Sequence, residues 1–388
     1  MRARPVPIAD LDDADKAEWA TLQEGNPHLA SPFFRPEFAE CCGAVREGVE
    51  VAVLDNGRRR GFLPYKRHLR GVARGPAGHL SDLEGAALDA DAEFRPFDFV
   101  RSCGLRAWRF HHLVGSHPGV ARVVMARAEN PYIDLHGGYE AYRADRRATR
   151  SRLFKEIERK GRKADRERAV EFILDDRAPE ALAWLVEAKR AQLRAMGAWD
   201  YFRVPWTVPL MRECAGRRGE AFAGLVSTLR HDGRIVAAHV GLRSGPTLHA
   251  WTHVYDPAEA GLSVGMVMLC RLCEAAAGAG VTRIDLGRGD EGYKGRFASG
   301  SLPLGEGAAE LHKLPRLARK AFYFGREAVR DTPLGPAAQK VVRGLREWSR
   351  GVRRGEPVPP PRDQPAPRPV AMPKSHDLSD SQHAAPAC

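Results

Sequence analysis

Two hairpin signals lie 176 residues apart, and the same step recurs at a second pair of landmarks. "VEVAVLDNGRRRGFLPYKR" (49–67) sets Asn56-Gly57 between apolar runs, and "LVSTLRHDGRIVAAHVGLR" (225–243) does the same with Asp232-Gly233. Such dipeptides supply the positive φ values that tight hairpin turns need. Beyond each hairpin and a helix-like stretch, a glycine introduces another short strand: "CGLRAWRFHHL" (103–113) and "AGVTRIDLGRG" (279–289). Gly57 to Gly233 and Gly104 to Gly280 are both steps of 176. Two landmarks in one register predict an internal duplication. A chain of 388 residues is also too long for one ordinary core. The expected plan is two similar α/β halves.

The rest of the chain arranges itself around that plan. "YEAYRADRRATRSRLFKEIERKGRKADRERAVEF" reads as one long basic helical connector between halves 1–136 and 137–310. "PEALAWLVEAKRAQLRAMG" (179–197) reads as a helix, with Ala181, Leu182, Leu185, Val186 and Leu193 near helical spacing and Gly197 as the stop. Residues 311–354 read as two basic amphipathic helices broken at Pro333 and Gly335. The proline-rich polar stretch 355–388 reads as a disordered tail.

Composition narrows the function classes. No apolar run reaches the roughly 18 residues of a spanning helix, and "MRARPVPIADLDD" has no apolar segment of a signal peptide, so a cytoplasmic protein is expected. Seven cysteines are scattered; Cys270 and Cys273 share an apolar helical run and read as buried thiols, so neither zinc nor disulfides are expected. The net charge of +12 is concentrated. Residues 311–354 carry 12 Lys/Arg against 3 Asp/Glu, and residues 142–170 carry 12 against 5. These stripes are either solvated helix faces or contacts for an anionic partner, such as a phospholipid surface or a phosphate-bearing substrate. Nucleic acid is not favoured, because no interleaved aromatics or reader motif accompany the charge.

The second half concentrates the polar groups that chemistry needs. Strand "TLHAWTHVY" (247–255) alternates, which puts His249, Trp251, His253 and Tyr255 on one face; the preceding strand puts Ile235, Ala237 and His239 on one face and Val236, Ala238, Val240 and Leu242 on the other. His239, Trp251, His253 and Tyr255 are therefore candidates to line a substrate groove, with satisfied sheet packing as the alternative. The loop "GLSVG" (261–265) leads into a helix, and the backbone amides of Leu262, Ser263, Val264 and Gly265 could meet a pyrophosphate there. A plain helix cap at Ser263 is the other reading. The following strand ends in "IDLGRGDEGYKGRF" (284–297), a charged loop beside a strand's C-terminal end, where α/β sheets commonly bind ligands.

This order of hairpin, anion loop, helix, strand and charged loop is that of GNAT-type acyltransferases. Together with "SPFFRPEF" (31–38), "GFLPYKR" (61–67), "GHLSDLEG" (78–85), "WRFHHL" (108–113), "GRIVAAHVGLR" (233–243) and "RIDLGRGDEGYKGRFA" (283–298), the chain resembles the CelD/BcsL-type GNAT family tied to cellulose and exopolysaccharide biosynthesis. It is also similar in plan to Fem-type aminoacyltransferases. The resemblance implies tandem GNAT-like domains, each a mixed, mostly antiparallel sheet flanked by helices, followed by a basic helical extension. It implies acetyl-CoA as acyl donor, no metal, and a saccharide or envelope precursor as acceptor. The GNAT phosphate loop ordinarily opens with Gln or Arg and closes in Gly-x-Gly/Ala, which "GLSVG" lacks.

Within the loop, Lys294 either stabilises an oxyanion or pairs with Asp290 on a short helix. Lysine is uncommon here, since Arg supplies 50 of the 61 cations. By the resemblance Tyr293 protonates the departing thiolate; packing is its alternative. Asp290 or Glu291 serves as general base or as a helix-start anion. Asp82, on the first half's "GHLSDLEG" loop, joins the substrate residues through the resemblance alone. The first half lacks an anion loop in the register of 261–265, so it is expected to shape the groove while the second half binds the donor. Three functions follow: an N- or O-acyltransferase using acetyl-CoA, an aminoacyl-tRNA-dependent transferase, or an inert GNAT-like module that binds saccharide or scaffolds a synthase at the membrane through 311–354.

Overall fold

The expected duplication is present as topology. The computed structural model describes residues 2–55, 57, 60–89, 92–114, 119–289 and 292–330. The first half runs β1 (Arg2–Pro7), α1 (Asp13–Glu24), α2 (Pro36–Val45), β2 (Val49–Asp55), β3 (Arg60–His68), β4 (Val72–Arg74), α3 (Pro96–Ser102), β5 (Ala107–Val114) and β6 (Val124–Asp134). Helices α4 (Gly138–Thr149) and α5 (Ser151–Glu167) follow. The second half runs β7 (Val170–Ile173), α6 (Pro179–Ala195), α7 (Thr207–Gly216), β8 (Ala223–His231), β9 (Arg234–Ser244), β10 (Thr247–Tyr255), α8 (Val264–Gly278), β11 (Arg283–Asp285), α9 (Lys294–Phe297) and β12 (Gly300–Glu310), before α10 (Lys313–Arg330). The second basic helix and the tail expected beyond Pro333 lie outside the described residues, as does Asn56.

The strands form one mostly antiparallel sheet in the order β1-β2-β3-β4-β5-β12-β6-β11-β10-β9-β8-β7. From β1 to β4 every pairing is antiparallel and β4–β5 is parallel; from β7 to β10 every pairing is antiparallel and β10–β11 is parallel. The hairpin turn between β8 and β9 places Asp232 and Gly233 at φ 52° and 76°, as the dipeptide predicts. Strands β6 and β12 are themselves one step of 176 apart. Each has crossed over: β6 pairs with β11 of the second half, and β12 pairs with β5 of the first. They meet each other about Ala128↔Leu304. The junction registers agree, Ala107↔Glu310 on one side and Arg283↔Asp134 on the other. The two halves are thus related by a pseudo-twofold axis through the middle of the sheet.

The halves differ where it matters for a ligand. Helix α8 ends at Gly278 and α3 at its equivalent, Ser102, but α3 has lost its first turns. The chain ahead of α3 instead inserts beside the sheet, with isolated bridges Glu84↔Leu113 and Phe62↔Ala87. Small residues permit this: a Cβ on Gly61 would lie 1.9 Å from Leu88 Cδ2. The first half fills the space beside β5 with its own backbone.

One apolar cluster runs beneath both halves, joining Trp19, Phe33 and Phe38 to Leu185, Val240 and Trp251; another packs α8 with Phe154 and Ile157 of α5 against the second half's sheet. The connector is two helices, not one: backbone geometry at Arg150 (φ −134°, ψ 40°) separates α4 from α5. Helix α6 stops as expected, with Gly197 at φ 59°.

Candidate active site

Strand β10 is where the geometry departs from simple alternation. Its pairing with β9 shifts register between Ala250 and Thr252, leaving Trp251 as the extra residue of a bulge. His249, Trp251, His253 and Tyr255 therefore do not share a face. The first two turn to Phe33, with ring centroids 4.7 and 5.9 Å away, and Trp251 Nε1 donates to the Leu80 carbonyl at 3.0 Å. Trp251 is thus a packing residue between the halves and leaves the groove set. His253 and Tyr255 face α8. A second shift, opposite Leu229/Arg230, sends Ile235 to the cluster holding Ala238, Val240 and Leu242, and sends Val236 to the α8 side with Ala237. His239 stays on the α8 side.

Parallel pairing of β10 with β11 covers only Thr247–His249 against Arg283–Asp285. Beyond it a crevice of about 260 Å³ lies between β10, the start of α8 and the chain leaving β11. Met266, Leu269, Leu272 and Leu286 give it apolar walls. Its mouth is the N-terminus of α8. Ser263 sits there at φ 52° and makes no side-chain cap; its Oγ accepts from Lys160 Nζ of α5 at 2.8 Å. The first amides of a helix have no partner within it. Gly265 lets this end lie against β10, since a Cβ would stand 2.8 Å from Tyr255 Cδ1. Ser263 and Gly265 line the crevice, whereas Val264 is a core side chain and Leu262 packs at that core's edge.

At the other end, Tyr293 meets the His253 ring edge-on at 5.0 Å. Lys294 is only 6% exposed, and its Nζ donates to the carbonyls of Arg288 at 3.0 Å and Gly287 at 3.3 Å. It therefore fastens the chain that leaves β11. Phe297 packs on Phe154, and Tyr142 donates to the Phe297 carbonyl at 2.8 Å. From α6, Lys189 Nζ donates to the His253 carbonyl at 3.0 Å. Loss of water contact, then the charges of Lys189 and Lys294, lower the His253 pKa to about 4. His239 is 1% exposed, and neither ring nitrogen has a hydrogen-bond partner. Burial first, then His253 and His249, lower its pKa to about 3. Both imidazoles are neutral at pH 7. Asp290 and Glu291 lie outside the described residues.

On the opposite side of β10, His249 stands between two carboxylates. Its Nε2 is 3.1 Å from Asp82 Oδ2 and its Nδ1 is 3.9 Å from Asp285 Oδ2, while Arg283 holds Asp285 through two bonds of 2.6 and 2.8 Å. Asp82 arrives on the segment with which the first half filled its own gap. Nearby, His79 contacts the rings of Trp199, Tyr201 and Trp206, and the Arg46 guanidinium lies 3.9 Å over Trp206. Sequence reasoning missed Lys160 and Lys189. The scarcity of lysine that singled out Lys294 applies to both.

Residues 151–295 match a family model described as an acetyltransferase (GNAT) domain. That span holds Lys160, Lys189, β10, α8, Tyr293 and Lys294. No curated protein matches the chain. Among solved structures, FemX is similar with a TM-score of 0.53 and 8% identity over 79% of this chain and 98% of FemX. A tandem GNAT protein from the clavulanic acid biosynthesis pathway is similar with a TM-score of 0.44 and 14% identity, over 80% of this chain and 98% of that one. The likeness to FemX is one of fold. Among the described residues no cluster of His, Cys, Asp or Glu could hold a metal, and no helix is long and apolar enough to cross a membrane.

Proposed function

We propose that the protein is an acyltransferase that draws its acyl group from a CoA thioester held between β10 and β11. The carrying observation is the apolar crevice that runs from the amides of α8 and Lys160 to Tyr293. Its chemistry matches the donor in order: a cation and the N-terminal end of a helix for the pyrophosphate, apolar walls for the pantetheine arm, and a hydroxyl for the thiolate. Lys160 supplies the charge that the sequence lacks at the start of "GLSVG".

The acceptor enters from the Asp82 side of β10. Its amine or hydroxyl attacks the thioester carbon and gives up its proton to the Asp82 carboxylate, which His249 orients. The oxyanion forms beside the bulge, and Lys294, whose charge acts on His253, is the cation assigned to it. Collapse breaks the C–S bond, and the Tyr293 hydroxyl protonates the thiolate. Asp290 or Glu291 as base is the competing assignment; comparing Asp82→Asn with Asp290→Asn separates them, because only the true base lowers kcat while sparing donor affinity.

The resemblance to the CelD/BcsL-type family supports an envelope or exopolysaccharide precursor as acceptor, and the His79, Trp199, Tyr201 and Trp206 rings suit a saccharide face. A CoA donor implies action on the cytoplasmic side. Calorimetric titration with acetyl-CoA is the test. Binding that weakens about tenfold in Lys160→Ala is expected, the order of one charge-assisted hydrogen bond. No binding at millimolar acetyl-CoA, or product formed only from charged tRNA, overturns the assignment.

A further inference from the structure

Helix α10 is turned inside out. Its inward face is charged: Arg319 Nε donates to Glu310 at 2.9 Å and Arg326 Nη1 to Glu306 at 2.7 Å, with both carboxylates only 2% exposed. Tyr323, under the Arg326 guanidinium at 4.7 Å, is the buried aromatic of that face. The outward face is apolar. Leu314, Leu317 and Phe324 are 80%, 61% and 78% exposed, at a spacing that lines them up with exposed Ala321 on one side of a helix. Among the described residues, four of the six exposed large hydrophobic side chains, these three and Phe322, belong to α10. Lys313 and Lys320, both exposed, flank the stripe.

An ordinary surface helix puts its apolar stripe inward. A reversed one exposes apolar area to water without compensation unless something covers it. The charge identifies the cover. From Lys313 to Arg326 the helix has five cationic and no acidic residues. The basic run continues to residue 354, giving the 12 against 3 counted over 311–354. We infer that the outer face of α10 docks on an anionic phospholipid surface. The helix lies flat, with Leu314, Leu317 and Phe324 in the boundary between headgroups and acyl chains and Lys313 and Lys320 at the headgroups. Docking also reaches the site. Glu306, the partner of Arg326, is ion-paired with Arg288 of the loop that Lys294 fastens, and Arg288 Nη1 donates to the His111 carbonyl of β5 at 3.0 Å.

The test uses the full chain and flotation with vesicles of phosphatidylcholine alone or mixed with phosphatidylglycerol. Wild type should float with the mixed vesicles only, and added salt should weaken it. Leu317→Glu/Phe324→Glu and Lys313→Glu/Lys320→Glu should each lower partitioning at least about tenfold. Melting temperature and acetyl-CoA affinity should stay as in wild type, since these side chains touch neither core nor crevice. The inference is overturned if wild type remains in solution with the mixed vesicles, or if the Leu317/Phe324 double variant floats as well as wild type. It is also overturned if sedimentation shows a self-associated wild type that this variant converts to monomer, because the stripe would then join two copies.

Discussion

His239 presents two ring nitrogens to a space in which neither finds a partner, and that fixes a pH response. An unfolded histidine titrates near 6.5, whereas burial holds this one to about 3. Between those values the unfolded chain binds the extra proton, so stability falls as pH drops below about 6.5, by about 1.4 kcal/mol per pH unit. Glu84 acts in the opposite sense. Burial raises its pKa to about 8 from 4.5, so the folded state keeps a proton that the unfolded state has released, and stability falls as pH rises between those values. Urea midpoints should therefore decline on both sides of a maximum. His239→Leu should make the acid limb shallower, leaving the share of His253, and Glu84→Gln should flatten the alkaline one. An acid limb as steep in His239→Leu as in wild type would remove His239 from this account.

Helix α8 and strand β10 hold the crevice open through one missing side chain. A Cβ at residue 265 would stand 2.8 Å from Tyr255 Cδ1, on a ring that lines the same crevice. Gly265→Val must push the helix start from the strand or drive Tyr255 into the crevice. Acetyl-CoA affinity should fall at least tenfold while stability falls by only about 1–3 kcal/mol, the usual cost of overpacking. Calorimetry beside urea unfolding checks both, and undiminished affinity would mean that the donor does not use this helix end. This element also marks how far the sequence could be read. The glycines at 104 and 280 and the Asp232-Gly233 turn were legible because left-handed backbone selects its residues. The bulge at Trp251 was not, because an extra residue in a strand needs no special side chain, and one slip sends every later side chain to the other face. Lys160 and Lys189 acquire their contacts, with Ser263 and the His253 carbonyl, only when α5 and α6 pack. Asp82 and His249 are 167 residues apart, and only the filling of the first half's gap brings them together.

At the scale of the whole molecule, the exchange of β6 and β12 makes each half depend on the other's chain. Ile133 is encoded before the connector, yet it is buried in the cluster that packs α8 and β11; Ala309 follows the second half's loop, yet it is buried with Trp108 and Phe110. Unfolding either half alone would strip a paired strand from the middle of the other's sheet, and the interior edge left behind would lose its backbone hydrogen bonds without replacement. Two covalently linked, self-contained domains would instead unfold in two steps, with the donor-binding half free to survive the first. A single transition is therefore expected in urea, with the same midpoint by tryptophan fluorescence, far-ultraviolet circular dichroism and loss of acetyl-CoA binding. Ile133→Ala should cost about 2–5 kcal/mol, as large-to-small changes in cores do, and should move all three midpoints together although the residue lies outside the span that matches the acetyltransferase domain. Two resolved transitions in wild type, or an Ile133→Ala variant that shifts acetyl-CoA binding while the other probes stay put, would show that the strands had exchanged without coupling the halves.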